Sequence, residues 1–197
     1  MNDKEKYVFE TILSRRSVRN FIENKKVETW KIIKLLEAAM SAPSAGNTQP
    51  WEFIVVSEKE SMDKLKEATG LNAPMAIITC ANLEYIQWKN DDWKIDCSAA
   101  VENMLIAAVA MGLGSLWIGH LDILREMFEI PDNIQILNIT LFGYTDKIPE
   151  MGTRYAEDAV FREKYDPDRI RPAKKTVDYG GITLNDLSVN PPVSWEN

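Results

Sequence analysis

The sequence predicts one compact domain that mixes α-helices with buried β-strands. Its 197 residues are enough to enclose a large core but few for two domains. Segments with apolar residues at helical spacing alternate with short runs rich in β-branched residues, which proline and polar residues bound. Hydrophobic residues make up 45% of the chain and charged residues 27%, as in ordinary globular proteins. The composition as a whole therefore excludes a fibrous or disordered chain.

Two helices open the chain. The first, DKEKYVFETILSRR, carries Tyr7, Val8, Ile12 and Leu13 along one side and runs into a cluster of arginines. The second, ETWKIIKLLEAAMSA, is expected to stop at Pro43. Its apolar residues at helical intervals are Trp30, Ile33, Leu35, Leu36 and Met40. Between the helices, SVRNFIENKKV is predicted to be a short extended or turning link.

Two buried strands, WEFIVVS and PMAIITCA, are predicted next because both runs are short and rich in β-branched residues. The charged helix SEKESMDKLKEAT joins them, with Ser57 or Ser61 as its N-cap. The following stretch, ANLEYIQWKNDDW, has no clean period. We expect Trp88 and Trp93 to be exposed there, in a mobile cover.

A helix from Asp96 to about Met111 is rich in small residues and apolar on almost every side. Small residues let another helix approach closely. In a chain of this size, nearly all-round apolarity favours a subunit interface. The strand SLWIG, the short helix LDILREMFEI and the strand IQILNITLFGY complete the core.

The composition changes near Asp166, so we place a domain at residues 1–165 and a C-terminal extension at residues 166–197. The extension has proline and glycine punctuation and little hydrophobic periodicity, and alone it cannot bury enough surface to fold. It is either a partly disordered tail or an arm laid over another subunit. The anchors of such an arm would be Ile182, Leu184 and Trp195.

Charge and cysteine usage exclude several classes of partner. A net charge of -7 repels a phosphate backbone, so we expect no nucleic acid. Cys80 and Cys97 have no metal-ligand spacing, and His120 is the one histidine, so we expect no metal site and two buried free thiols in a reducing cytoplasm. The charged N-terminus is not typical of a signal peptide, and Glu102 and Asn103 interrupt the longest apolar run, so no membrane partner is expected.

Three arginines crowd around one serine in the stretch SRRSVRNF. Cations at a helix C-terminus interact favourably with the helix dipole, which explains Arg15 and Arg16 without any ligand. That explanation leaves Ser17 and Arg19 unaccounted for. The alternative is an anion site, because guanidinium groups and a hydroxyl are convergent donors for a phosphate or for the edge of a planar heterocycle.

Two further stretches fit a ligand site. The loop SAPSAGNTQPWEF has the composition of an ordinary turn, but it also presents amides and hydroxyls at Ser44, Asn47 and Gln49. In GLGSLWIGHL, the first two glycines (Gly112 and Gly114) follow a helix and open a strand, which excludes a dinucleotide-binding turn and indicates a helix stop. The missing side chain of Gly119 would let a flat ligand lie against the backbone.

Taken together, these motifs resemble the FMN-dependent nitroreductase family. The arginine-serine-arginine cluster, P-S-x-x-N-x-Q-P-W, GLGSLWIG and Arg154 before AEDAV occur in that order over roughly residues 7 to 165. The resemblance implies an α+β fold with a central, mainly antiparallel sheet flanked by helices. It also implies an intertwined homodimer with two FMN sites at its interface.

The resemblance assigns a role to each matching residue. On that pattern the FMN phosphate is held by Arg15, Arg16 and Ser17, with Arg154 closing on it, while Arg19 approaches the pyrimidine edge of the flavin. The same flavin would be reached from the partner subunit by Pro43, Ser44, Ala45 and Asn47, with Gln49 a weaker candidate.

At the flavin ring, Ile118 and Gly119 would run beside the central ring, where a backbone N–H can meet N5. Some relatives have an acidic residue at the place of Ile118, so only a backbone role is carried over. The aromatic residues of segment 82–95 either select a ring-shaped substrate or pack between helices. A lone His120 is more often structural than catalytic.

The activity implied is ping-pong hydride transfer from NADH or NADPH through FMN to a small acceptor such as a nitroaromatic or a quinone. No side chain is assigned as catalytic, because the cofactor carries the chemistry. Two alternatives stay open: a specialised flavoenzyme of the same fold, such as a reductive dehalogenase, and a flavin-binding redox protein without turnover. The acceptor and the preferred nicotinamide are not determined by these motifs.

Overall fold

The structure is a computed structural model that describes residues 1–70, 72–86, 91–150 and 159–169. The chain divides into two compact units, Met1–Pro149 and Glu150–Asn197. The first unit contains α1 (Asp3–Ser14), α2 (Thr29–Met40), β1 (Trp51–Val56), α3 (Lys59–Thr69), β2 (Met75–Asn82), α4 (Asp92–Ala110), β3 (Gly114–Ile118), α5 (Ile123–Met127) and β4 (Ile134–Gly143).

The strands of the described residues form a four-stranded sheet in the order β1-β2-β4-β3. All three neighbouring pairs are antiparallel, which confirms the predicted α+β class with an antiparallel sheet. β1 and β3 are therefore the two edges. Because neighbouring strands lie about 4.8 Å apart, three spacings place these edges about 14 Å from each other.

Helices cover both faces of this sheet, because its strands are apolar on both sides. On one face, Leu65 of α3 and Leu124 of α5 pack against the strands. On the other face, Leu35 of α2 and Val101 of α4 do so. Within the described residues, no helix is both long enough and apolar enough to cross a bilayer.

Both cysteines are free and buried, as predicted. They belong to different core clusters, Cys80 on the face covered by α3 and Cys97 on the face covered by α4. Burial raises the pKa of the Cys80 thiol to about 11. Burial, and then the neighbouring charge of Asp96, raises the pKa of the Cys97 thiol to about 12. Both thiols are therefore protonated and unreactive at neutral pH.

Helix ends follow the local sequence closely. Asn2 and Glu5 form a capping box at the start of α1. Gly70 ends α3 with a φ of 69°, and Gly112 follows α4 with a φ of 71°, so Gly112 is the helix stop that was predicted. Gly114 is not part of that stop: it opens β3, where a Cβ would lie 2.9 Å from the Val18 side chain.

The structure corrects three local predictions. The N-cap of α3 is Glu58, because the helix begins two residues later than expected, so neither Ser57 nor Ser61 caps it. α4 begins at Asp92 rather than at Asp96. Trp93 lies in its first turn and is buried, which makes the predicted exposure wrong. Trp88 lies outside the described residues.

Most apolar residues of α1 and several of α2 are exposed in the single chain. Tyr7, Val8, Ile12 and Leu13 have 45% to 59% of their surface exposed. The exposed apolar residues of α2 are Trp30, Ile33 and Met40. Single exposed apolar residues are ordinary, whereas contiguous sets of them are typical of interaction surfaces.

The second unit is described at Glu150 and over residues 159–169. There the rings of Phe161 and Tyr165 lie 4.5 Å apart, and the guanidinium of Arg169 lies 4.4 Å from the Phe161 ring centre. The proposed anchors Ile182, Leu184 and Trp195 lie outside the described residues. The boundary at residues 165 and 166, and the choice between tail and arm, stay predictions.

Candidate functional site

The arginine segment, residues 14–21, lies along the outer edge of β3. Ser17 forms a parallel bridge with Ser115, and the Val18 N–H donates to the Ser115 carbonyl oxygen at 2.9 Å. This backbone pairing follows directly after α1, which ends at Ser14. Because two residues separate the end of α1 from this pairing, the backbone of Arg15 and Arg16 is held between the helix and the strand.

Two of the arginines already have protein partners. The buried Arg16 donates from Nη1 to the carbonyl oxygens of Leu13, at 2.7 Å, and Arg15, at 2.6 Å. Arg16 thus interacts with the carbonyl end of α1, as the helix-terminus interpretation requires. Arg15 Nε lies 3.5 Å from a Glu102 carboxylate oxygen on α4. This ion pair partly offsets the charge of Arg15.

Arg19 is half-buried and more loosely held. Within the described residues its one hydrogen bond is long, 3.4 Å from Nη1 to the Ser17 carbonyl oxygen. A guanidinium carries five N–H donors, so this bond uses a small part of its capacity. Arg19 is therefore the arginine of the segment best able to donate to a ligand.

The other end of β3 carries Ile118 and Gly119. Ile118 is half-buried and pairs with Ile139 of β4, whereas Gly119 is exposed. A Cβ added at Gly119 would have no atom within 4 Å, so the backbone there faces open space. At about 3.3 Å per residue, the strand separates Ser115 from Gly119 by about 13 Å. The edge of β3 thus presents positive charge at one end and bare backbone at the other.

His120 follows Gly119, and both of its ring nitrogens have partners. Nδ1 lies 3.2 Å from the Ile136 carbonyl oxygen, and Nε2 lies 2.8 Å from an Asp122 carboxylate oxygen. These contacts hold the ring against its own subunit. They favour the structural interpretation of this histidine.

The loop from Pro43 to Gln49 joins α2 to β1 and has unusual backbone angles. Gly46, Asn47 and Gln49 adopt φ values of 58°, 57° and 47°. Positive φ is uncommon outside glycine, and clusters of such residues occur at ligand sites. The Gln49 N–H donates to Ser44 Oγ, and the Gln49 side chain donates to Asn47 Oδ1, both at 3.0 Å. The loop is therefore folded upon itself.

A carboxylate that the sequence interpretation missed connects this loop to α4. The Ala45 N–H donates to Asp96 Oδ1 at 3.0 Å, and Asp96 is 6% exposed. The signal was present in the sequence: one acidic residue stands among Trp93, Cys97 and Ala100 on the buried side of the helix. A charged group on such a face needs a polar partner.

The two candidate regions border different strands of the sheet. The arginine segment borders β3, whereas the loop leads into β1 at the opposite edge, about 14 Å away across the sheet. A cavity of about 430 Å³ is lined by residues of α3 and of segments 22–26 and 72–74, and by none of the candidate ligand residues. Arg154 lies outside the described residues. Within the described residues, the arginine segment and the loop 43–49 therefore border different edge strands of the sheet.

In the described part of the chain, no group of three or more histidine, cysteine, aspartate or glutamate side chains is placed to bind a metal ion. The donors of the two candidate regions are guanidinium groups, amides, hydroxyls and backbone N–H groups. Such donors suit an anionic or heterocyclic organic ligand.

Comparison with known proteins identifies relatives across most of the chain. The sequence profile described as the nitroreductase family matches residues 12–94 and 72–144. A protein of Archaeoglobus fulgidus, provisionally named as an NADH dehydrogenase or NAD(P)H nitroreductase, is 39% identical over 168 residues, which cover 78% of this chain and 96% of that protein.

Solved structures agree with the sequence comparison. An FMN-dependent nitroreductase of Clostridium difficile R20291 matches with a TM-score of 0.70 at 31% identity, covering 79% of this chain and 99% of that one. A crystal structure from Clostridium acetobutylicum, provisionally named as an NADH oxidase, matches with a TM-score of 0.73 at 40% identity over the same shares. The similarity therefore extends from sequence to fold.

Proposed function

Because the chain belongs to the nitroreductase family, we propose that it is an FMN-dependent oxidoreductase that uses NADH or NADPH to reduce a small acceptor. The acceptor class is a nitroaromatic, a quinone or a similar compound. The observation that carries the proposal is the edge of β3, where the arginine segment pairs with Ser115 and Gly119 ends the same edge.

The donors present on this edge fit FMN. Arg15, Arg16 and Ser17 suit its phosphate, because guanidinium groups and hydroxyls make charge-assisted hydrogen bonds to phosphate oxygens. Arg16 contributes its charge from a fixed position, since the carbonyl end of α1 holds its guanidinium. Arg154 would close on the same phosphate. Bound FMN would supply the redox chemistry, accepting hydride from the nicotinamide and passing it to the acceptor in a second, separate binding event.

Arg19 has the strongest electronic role in this proposal. Its permanent charge at the pyrimidine edge of the flavin stabilises negative charge there, which is larger in the reduced form than in the oxidised form. If FMN is bound as proposed, turning toward that edge would cost the Arg19 guanidinium one long hydrogen bond and no ion pair within the described residues. Arg19 therefore favours reduction of the flavin.

Ile118 and Gly119 act through their backbone. Open space at Gly119 lets a flat ring approach the chain, and a backbone N–H there can donate to flavin N5. Both ring nitrogens of His120 are engaged with its own subunit, so we assign no proton transfer to it. No side chain of the described residues is required as an acid, base or nucleophile.

The second half of the site comes from the partner subunit of a homodimer. Within one chain the loop leads into one edge strand of the sheet and the arginine segment borders the other, which supports a site completed by a second copy. The exposed apolar sides of α1 and α2 are suited to such an interface. The loop residues proposed to reach the partner's flavin are Pro43, Ser44, Ala45, Asn47 and Gln49.

The visible spectrum of the purified protein tests this function. We expect a yellow protein whose flavin absorbance bleaches on anaerobic addition of NADH or NADPH and returns when a nitroaromatic or quinone is added. Protein that stays colourless after incubation with FMN would contradict the proposal. Bound flavin that neither nicotinamide bleaches would instead support a flavin-binding protein without turnover.

A further inference from the structure

We propose that Asp96 is a positioning residue for FMN binding: it fixes the loop 43–49 in the place from which that loop reaches the flavin of the partner subunit. The inference rests on the proposed function. It concerns a residue that would act on the cofactor indirectly, through the Ala45 N–H.

The surroundings of Asp96 argue against a role in packing alone. Asp96 is 6% exposed and shares the buried side of α4 with Trp93, Cys97 and Ala100, which are at most 9% exposed. Burying a carboxylate on an apolar face is unfavourable unless hydrogen bonds compensate it. An apolar side chain would pack there without that penalty. The hydrogen bond that the Asp96 carboxylate accepts from the Ala45 N–H explains why a carboxylate occupies this position.

The loop needs an external attachment because its internal bonds fix its shape but not its place. Ser44, Asn47 and Gln49 bond to one another and close the loop upon itself. The bond from Ala45 to Asp96 instead joins the loop to α4, a 19-residue helix packed against the sheet.

The test compares FMN affinity in full-length Asp96→Ala and Asp96→Asn, measured by titrating FMN into the apo-dimer. Asp96→Ala removes the acceptor and should raise the Kd for FMN at least tenfold. Turnover at saturating FMN should stay within about threefold, because the loop positions the flavin without reacting. Asp96→Asn retains an Oδ1 acceptor and should restore the affinity to within about threefold of wild type.

Asn103→Ala is the matched control on the same helix. The half-buried Asn103 donates from Nδ2 to the Ala38 carbonyl oxygen at 3.0 Å, so its removal breaks a bond between α4 and α2 without touching the loop. We expect FMN affinity within twofold of wild type. An equal loss of affinity in Asn103→Ala and Asp96→Ala would overturn the inference, because general loosening of α4 would then explain both.

Hydrogen exchange keeps the inference testable if Asp96→Ala does not fold. In the wild type and in Asp96→Asn, the Ala45 amide should exchange at least tenfold more slowly than the Gly46 amide. Equal exchange rates overturn the inference, as does a folded Asp96→Ala that binds FMN like wild type. Wild-type protein that binds no FMN overturns the proposed function itself, which separates the two failures.

Discussion

The arginine segment and the loop 43–49 would bind the same ligand, but they are built differently. The arginine segment is charged and extended, and it is fixed by pairing with β3 and by the ion pair of Arg15 with Glu102. The loop carries no charged residue, has three residues at positive φ, and is attached through Asp96. α4 supports both regions, since Asp96 and Glu102 lie six residues, or about 9 Å, apart along its axis.

The two regions would therefore contribute to FMN affinity in different ways, the arginine segment through charge and the loop through hydrogen bonds that depend on its shape. Charges of the arginine segment act over several ångströms and are weakened by salt. The neutral donors of the loop act at hydrogen-bond distance and are hardly affected by salt. We therefore expect substitutions in the first region to change affinity strongly and with salt, and substitutions in the second to change it less and independently of salt.

Arg15→Ala should have the largest effect. Removing one charge-assisted contact to phosphate costs about 1.5 to 3 kcal/mol, or a rise of about 10- to 100-fold in the Kd for FMN. Fluorescence titration at low and high salt checks this. The ratio of the Kd of the variant to that of the wild type should fall as the salt concentration rises, because salt screens part of the attraction between Arg15 and the phosphate.

Glu102→Gln is the control for that substitution. It removes the partner of Arg15, 3.5 Å away, and keeps Arg15 itself. FMN affinity should be unchanged or a few-fold tighter. A loss as large as that of Arg15→Ala would mean that the ion pair, and not the charge of Arg15, holds the ligand.

Substitutions of Asn47 distinguish the contribution of backbone conformation to FMN affinity from the contribution of the side chain. Its φ of 57° suits glycine and asparagine better than alanine. If its amide contacts the flavin, Asn47→Gly and Asn47→Ala should both raise the Kd by about 2- to 10-fold at any salt concentration. If Asn47→Gly binds FMN like wild type and Asn47→Ala does not, the residue contributes through backbone conformation alone.

Arg19→Ala should change the redox potential of the flavin more than its affinity. Without the charge near the pyrimidine edge, the midpoint potential should fall by on the order of 30 mV, the equivalent of a tenfold change for a two-electron couple. Potentiometry of the holoprotein measures it. An unchanged potential would remove Arg19 from the electronic role.

Tyr144→Phe should have the smallest effect on FMN affinity. It changes a contact at the start of α2, whereas the loop 43–49 follows the end of that helix. The hydrogen bond from Tyr144, followed by smaller effects that include the charge of Lys31, holds the pKa of the Glu28 carboxyl below its ordinary value. That bond stabilises the fold above the unfolded pKa of about 4.3, and the stabilisation is lost as pH falls through the lower folded value.

Thermal unfolding across pH checks this prediction. The wild type should be more stable than Tyr144→Phe at neutral pH, and the difference should shrink as the pH falls below the ordinary pKa of glutamate. FMN affinity at neutral pH should agree within twofold. A large loss of affinity would show that the two ends of α2 are coupled.

The fold was largely readable from the sequence because its strands are short apolar runs with clear ends. β1, β2, β3 and β4 all lie within two residues of the predicted bounds. The start of α4 was not readable, since Trp93 follows two aspartates and resembles an exposed residue until the helix buries it. Single-sequence patterns give periodicity but not the partner of a buried face.

The candidate site was harder to predict from the sequence than the fold, for a related reason. Motifs indicated the arginine segment and the loop, and the family resemblance implied that the two come from different subunits. The strand order that places them at opposite edges of the sheet was not predicted, because strand order is not a local property. Asp96 was visible as an acid on an apolar helix side, yet its partner, Ala45, lies 51 positions away in the chain. The contact follows from tertiary packing alone.

A site shared between two subunits is the central claim, and mixed dimers test it directly. One chain carries Arg15→Ala and the other carries Ser44→Ala with Asn47→Ala, and differently tagged copies allow the heterodimer to be purified. If each site takes its arginines from one subunit and its loop from the other, the heterodimer regains one FMN site of wild-type affinity, while both homodimers stay weak. Two weak sites in the heterodimer would show that each site lies within a single chain and would contradict the account.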